Sequence, residues 1–166
     1  MLKSKDFYLK NVYNSEGRKL GVIEDVYIDF YKGKITGFKC SVSALFSRKN
    51  YIDIEDVINI GEDIIVIEEK QGNGLGLKSL KNIEVVDING IVKGVFEDII
   101  VDEYSYLIKG IVISSGLIDR LIKGKEILLL EQCILGDEYI LYNGKDNIMF
   151  KSIPHNLECK NESSKA

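Results

Sequence analysis

Shifting the chain by 73 residues lays its second half on its first. Val12 falls on Val85, Gly17 on Gly90, Gly21 and Val22 on Gly94 and Val95, and Glu24 and Asp25 on Glu97 and Asp98. Asp29 then meets Asp102, Tyr31 meets Tyr104, Ile35 meets Ile108, Gly37 meets Gly110 and Ser41 meets Ser114. That is 11 identities over the 30 positions from 12 to 41, where so biased a composition gives about two or three by chance. Further on the offset becomes 75, with Ile52 on Ile127, Gly61 on Gly136, Asp63 on Glu138 and Ile65 on Ile140. The extra residues fall within 115–126, so the connection at 42–51 and its counterpart form a loop that tolerates insertion. The sequence is a tandem duplication, and one small architecture must be built twice.

Each copy reads as short strands between turn signals. In the first, strands are predicted over 7–13, 18–29, 35–42, 51–54, 57–60 and 64–69. Ser15, Glu16 and Gly17 mark one turn, Tyr31 to Lys34 a hairpin and Gly61 to Asp63 another. Residues 43–49 and 116–123 have room for a helical turn. About six short strands per copy would leave exposed edges if flat, and closure into a small barrel removes them. The fold expected is all-β: two tandem small β-barrels of about six short strands each, with at most short helical turns. The first spans 1–71, a glycine-rich linker 72–77, the second 78–150, and a polar, disordered tail 151–166. Composition agrees, with 45% hydrophobic residues and a single proline, which is too apolar for wholesale disorder.

Net charge is −4, so no global field draws in phosphate backbones. A nucleic-acid contact needs a local patch, and the candidates are Lys3, Lys5, Lys10, Arg18, Lys19, Arg48 and Lys49. Cys40, Cys133 and Cys159 form no C-x-x-C pair, which points away from a zinc knuckle or a redox dithiol. The start of the chain carries no apolar leader and no run reaches membrane-spanning length. A reducing cytoplasm is the expectation, in a bacterium with an AT-rich genome on the impression given by lysine and isoleucine usage.

Here the residues resemble a known family. Gly17, Gly21, Val22, Glu24, Asp25 and Asp29, followed by Gly33, Lys34 and Gly37, form a pattern similar to the PRC-barrel domain, and the stretch from Tyr51 to Asp63 resembles that family's closing strands. Gly90, Gly94, Glu97, Asp98, Asp102 and Gly110 repeat the first pattern. The second copy departs from it at Ser105, Tyr106 and Leu107, which lack the hairpin Gly-Lys, and at Leu128 to Leu130. The resemblance implies kinship with the barrel of the photosynthetic reaction centre H subunit and of the ribosome maturation factor. It also implies protein–protein contact, with no catalytic residues belonging to the fold.

Sites are weighed on that basis. The carboxylates Glu24, Asp25, Asp29, Glu97, Asp98 and Asp102 could hold Ca²⁺, but their spacing is unlike a calcium loop. The structural alternative has Asp29 and Asp102 capping hairpin turns. A β-bulge at each Glu-Asp pair then turns the glutamate from the core and offers it backbone amides. Gly72 to Gly76 reads as a linker, since no helix with Gly-Lys-Ser/Thr follows. The only histidine, His155, follows Pro154 in the tail, so no catalytic set can be nominated and no enzyme, cofactor or metal is expected. Tyr27, Phe30, Tyr31, Phe46, Tyr104 and Tyr106 are the candidate contact patch. The expected function is a non-catalytic cytoplasmic protein-binding or scaffold module, with self-association open. The alternative is an RNA- or ribosome-associated factor using the basic first copy.

Overall fold

Valine- and isoleucine-rich runs broken by glycine and Asx turns fold here into two seven-stranded sheets. The computed structural model describes residues 1–42, 49–114 and 126–144; the helical turns expected at 43–49 and 116–123 fall almost wholly outside them, as do Phe46, Arg48 and the tail. In the first copy β2 (Asn11–Asn14), β3 (Lys19–Asp29), β4 (Lys34–Val42), β5 (Tyr51–Asp53), β6 (Val57–Ile60) and β7 (Ile64–Val66) run in the order β5-β4-β3-β2-β7-β6. In the second, β9 (Glu84–Asp87), β10 (Val92–Val101), β11 (Ile108–Ser114), β12 (Glu126–Leu129), β13 (Cys133–Leu135) and β14 (Tyr139–Tyr142) take the equivalent order β12-β11-β10-β9-β14-β13. The fold is mainly β, with one short helix, α1 (Leu77–Leu80), among the described residues.

Neither ladder closes into the expected barrel. The end strands β5 and β6 are joined by a 3-10 turn, Ile54–Asp56, and β12 and β13 by Leu130–Gln132. At these corners side chains do the closing: Ile54 and Val57 pack against the core, and Leu130 is buried in it. Edge strand β5 is then covered by Lys70, whose backbone exchanges hydrogen bonds with Tyr51 at 2.8 and 3.0 Å.

Two local readings change. The first strand begins at Asn11, because residues 7–10 turn: Phe7 N–H donates to the Ser4 carbonyl, and Leu9 sits at φ +63°. In the last strand the structural offset is 76, since Val12 pairs Ile64 as Val85 pairs Ile140. The turn before it is one residue longer in the second copy, closing from Gly136 to Tyr139 rather than from Gly61 to Asp63. A one-residue slip in a strand exchanges its faces. Ile64 and Ile140 are therefore the buried counterparts, and Ile65 faces outward.

The two remaining strands cross between the copies. β1 (Leu2–Lys3), at the chain's start, pairs with β10 of the second sheet, Leu2 opposite Val101 and Lys3 opposite Ile100. β8 (Leu75–Gly76), at the start of the second copy, pairs with β3 of the first, Leu75 opposite Ile28 and Gly76 opposite Tyr27. Under the 73-residue shift these pairings are identical, so the copies exchange their leading segments reciprocally. The stretch 72–77, expected as a linker, thus carries β8 and opens α1. One core runs through both copies, including Phe7, Phe38, Leu77, Phe96 and Ile140.

Candidate functional site

The repeated Glu-Asp motif lies at this exchange. The register between β3 and β4 skips Glu24, passing from Ile23 opposite Cys40 to Asp25 opposite Lys39, and between β10 and β11 it skips Glu97. These are the bulges, and the aspartate of each pair collects the freed amides. Asp25 Oδ1 accepts from its neighbour Val26 N–H at 2.9 Å, from Lys78 N–H of the incoming α1 at 3.2 Å and from the Tyr8 hydroxyl at 3.3 Å. Asp98 Oδ1 accepts from Ile99 N–H at 2.8 Å and from Ser4 N–H of the incoming N-terminal segment at 3.1 Å. Each carboxylate therefore holds the segment lent by the other copy. Glu24 instead faces Lys39 at 3.4 Å, with both side chains substantially exposed. The amides expected on the glutamates fall to the aspartates: the bulge turns Glu24 outward, whereas Glu97, at the second bulge, is half-buried with its Oε2 shielded from solvent. Burial pushes the Tyr8 hydroxyl up to about 12, and the neighbouring carboxylates add to the effect.

The turn residues show the same duplication. Gly17 and Gly90 take φ +81° and +79°, where a Cβ would be strained. Asn14 Oδ1 accepts from Glu16 and Arg18 N–H, and Asp87 Oδ1 from Asn89 and Ile91 N–H. Asp29 accepts from Lys32 N–H, and Asp102 from Tyr104 and Ser105 N–H. Backbone donors hold the carboxyls of Asp29, Asp87 and Asp102 below the usual carboxylate range. Gly21 is fixed by crowding, since a Cβ there would overlap the Ser41 carbonyl.

A second seam joins the hairpin turns. Ile35 N–H donates to the Tyr106 carbonyl at 3.1 Å and Ile108 N–H to the Gly33 carbonyl at 2.7 Å, a pair related by the same 73-residue shift. Tyr106 takes φ +55° where Gly33 takes +60°, so the missing hairpin glycine is replaced at unchanged geometry. Two cavities flank the seam. One, of about 500 Å³, lies among Phe30, Tyr31, Lys32, Leu107, Lys109 and Glu131. The other, of about 560 Å³, lies among Leu2, Lys10, Ile60, Glu103, Tyr104 and Tyr106. Tyr31 and Tyr104 are counterparts, 75% and 87% exposed, and Tyr31 donates its hydroxyl across to the Leu135 carbonyl at 2.7 Å.

The contact patch expected from sequence is thus divided. Tyr31 and Tyr104 stand at the surface and Tyr106 is half-buried, whereas Tyr27 and Phe30 are buried. Tyr27 is covered because β8 pairs over β3, leaving its ring 5.8 Å from that of Tyr51. The basic candidates are also divided: Lys3 and Lys5 line a small cavity with Lys81, Glu97 and Asp98, while Lys10 reaches the Gly61 carbonyl beside the second seam cavity. Lys78 and Lys81 lie over the Tyr8 ring at 5.4 and 5.7 Å. Sequence reasoning missed this gathering of Lys3, Lys5 and Lys81, because only the strand exchange brings the two leading segments together. Burial pushes the thiols of Cys40 and Cys133 up to about 12, so neither is primed as a nucleophile. Among the described residues no three His, Cys, Asp or Glu side chains converge as a metal site would require, and no helix is long and apolar enough to cross a membrane.

No curated protein matches the chain. Residues 1–74 match the family model of the PRC-barrel domain, and their strand order recurs in the second sheet. The first of the two repeats is a PRC-barrel domain.

Proposed function

We propose that the protein is a non-catalytic module that binds another protein across the seam between its two repeats. The observation that carries this is the pair of counterpart tyrosines, Tyr31 and Tyr104, each exposed beside a cavity built from both copies. Tyrosine contributes a large, stiff contact area with a polar tip, the character that protein interfaces favour. The cavities mix apolar walls with charges of both signs, Lys32, Lys109 and Glu131 in one and Asp6, Lys10 and Glu103 in the other, which suits a protein surface better than a polyanion. We place this activity in the cytoplasm: Cys40 and Cys133 are free buried thiols, in keeping with a reducing compartment. The test is affinity capture from the native cytoplasm at low salt with cross-linking. Wild type recovers a protein partner, and the double variant Tyr31→Ser, Tyr104→Ser loses it while melting normally. Recovery of RNA in place of protein, or of no partner at all, overturns the reading.

A further inference from the structure

The two repeats differ in character on the outer face of β9, β10, β13 and β14. Val92 lies opposite Val86, Val86 beside Leu141 and Leu141 opposite Ile134, a single row across four strands. Directly opposed side chains stand about 5 Å apart, so the row is contiguous. It points outward, because the alternating neighbours Val85, Ile140 and Cys133 are buried. Ile88 and Ile91 extend it over the turn from β9 to β10, 68% and 60% exposed.

The first repeat provides an internal control. Its corresponding row is Lys19, Tyr13, Ile65 and Asn59, and its turn carries Ser15 and Arg18 where the second has Ile88 and Ile91. The same scaffold thus has a polar-ended surface in one copy and an apolar one in the other.

What distinguishes the two places is where the chain goes next. After β7 it runs to Lys70, pairs with Tyr51 and continues into β8. After β14 it leaves at Asn143 and Gly144, and Tyr142, the last residue of that strand, is paired with Asp87, the first residue of the apolar turn. The sequence then reads Lys145, Asp146, Asn147, Ile148, Met149, Phe150. From Gly144 to Ile148 the chain reaches up to about 13 Å, against about 5–10 Å for one or two strand spacings. An apolar triplet therefore begins within reach of the only copy whose turn is apolar.

We propose that Ile148, Met149 and Phe150 dock on the row formed by Ile88, Ile91, Val92, Val86, Leu141 and Ile134. The test places p-benzoylphenylalanine at position 91 of the full chain, irradiates it and maps the adducts. Adducts fall within residues 145–153 of the same chain, and the double variant Ile148→Ser, Phe150→Ser lowers their yield about tenfold or more. The same probe at position 18, the polar counterpart, captures no tail peptide. Adducts to a second copy, to another protein or to no tail peptide overturn the proposal, as does a yield unchanged by the double variant.

Discussion

Leu9 and Asn82 occupy the same position in the two repeats, at φ +63° and +68°. Asparagine tolerates that left-handed backbone, whereas leucine pays about 1–2 kcal/mol for it. Leu9 is 81% exposed, so replacing it sacrifices no buried contact. Leu9→Asn is expected to stabilise the protein by about 1 kcal/mol, seen as a rise in denaturant midpoint with unchanged slope. The acidic motif separates at the same scale. Asp25→Ala removes the acceptor for two backbone amides and a tyrosine hydroxyl and should cost about 1–3 kcal/mol. Glu24→Ala removes one exposed ion pair and should cost under about 1 kcal/mol. Equal losses from the two substitutions would contradict this assignment. That division was invisible in the sequence, where Glu24 and Asp25 recur together. Only the bulge decides which carboxylate meets the amides.

At the scale of elements, much was legible. Isoleucine alternation and Asx-glycine turns mark β3, β4, β6 and their counterparts, and the one-residue shift in β14 was hidden because residues on either side of it are apolar. Ladder closure was not legible, since a 3-10 corner and a hairpin look alike at three residues. At Gly21 the neighbouring strand β4 leaves no room for a side chain, and Gly21→Val should abolish cooperative melting because the Ser41 carbonyl occupies the space required. The turns and buried groups also set the pH response. Asp29, Asp87 and Asp102 have folded pKa values below the ordinary 3.8, so their stabilisation is complete above about pH 4 and is lost as pH falls through the folded values. Cys40, Cys133 and Tyr8 have folded values raised to about 12. They keep their protons when folded and release them more readily when unfolded, so stability declines from about pH 9 towards pH 12. Thermal melts across pH should show a plateau bounded by those two slopes.

At the scale of the molecule, the duplication was readable but the exchange was not, because equivalent leading strands give no sign of which sheet each one joins. The candidate surface was legible only in part for the same reason: β8 hides Tyr27, and the seam that presents Tyr31 and Tyr104 exists only once the copies are paired. A protease site inserted between Asn73 and Gly74 should give, after cleavage, two fragments that co-elute on size exclusion, held by β1, β8 and the shared core. Separation of the fragments would mean that the copies hold together through their tether alone. The exchange also orders events during synthesis. A chain made N-terminus first at about 5–20 residues per second has every strand of the first sheet once Gly76 is in place. Leu2 and Lys3 have no ladder to join until Ile100 and Val101 follow. Leu2 and Lys3, made about a hundred residues before their partners, are among the last to be placed.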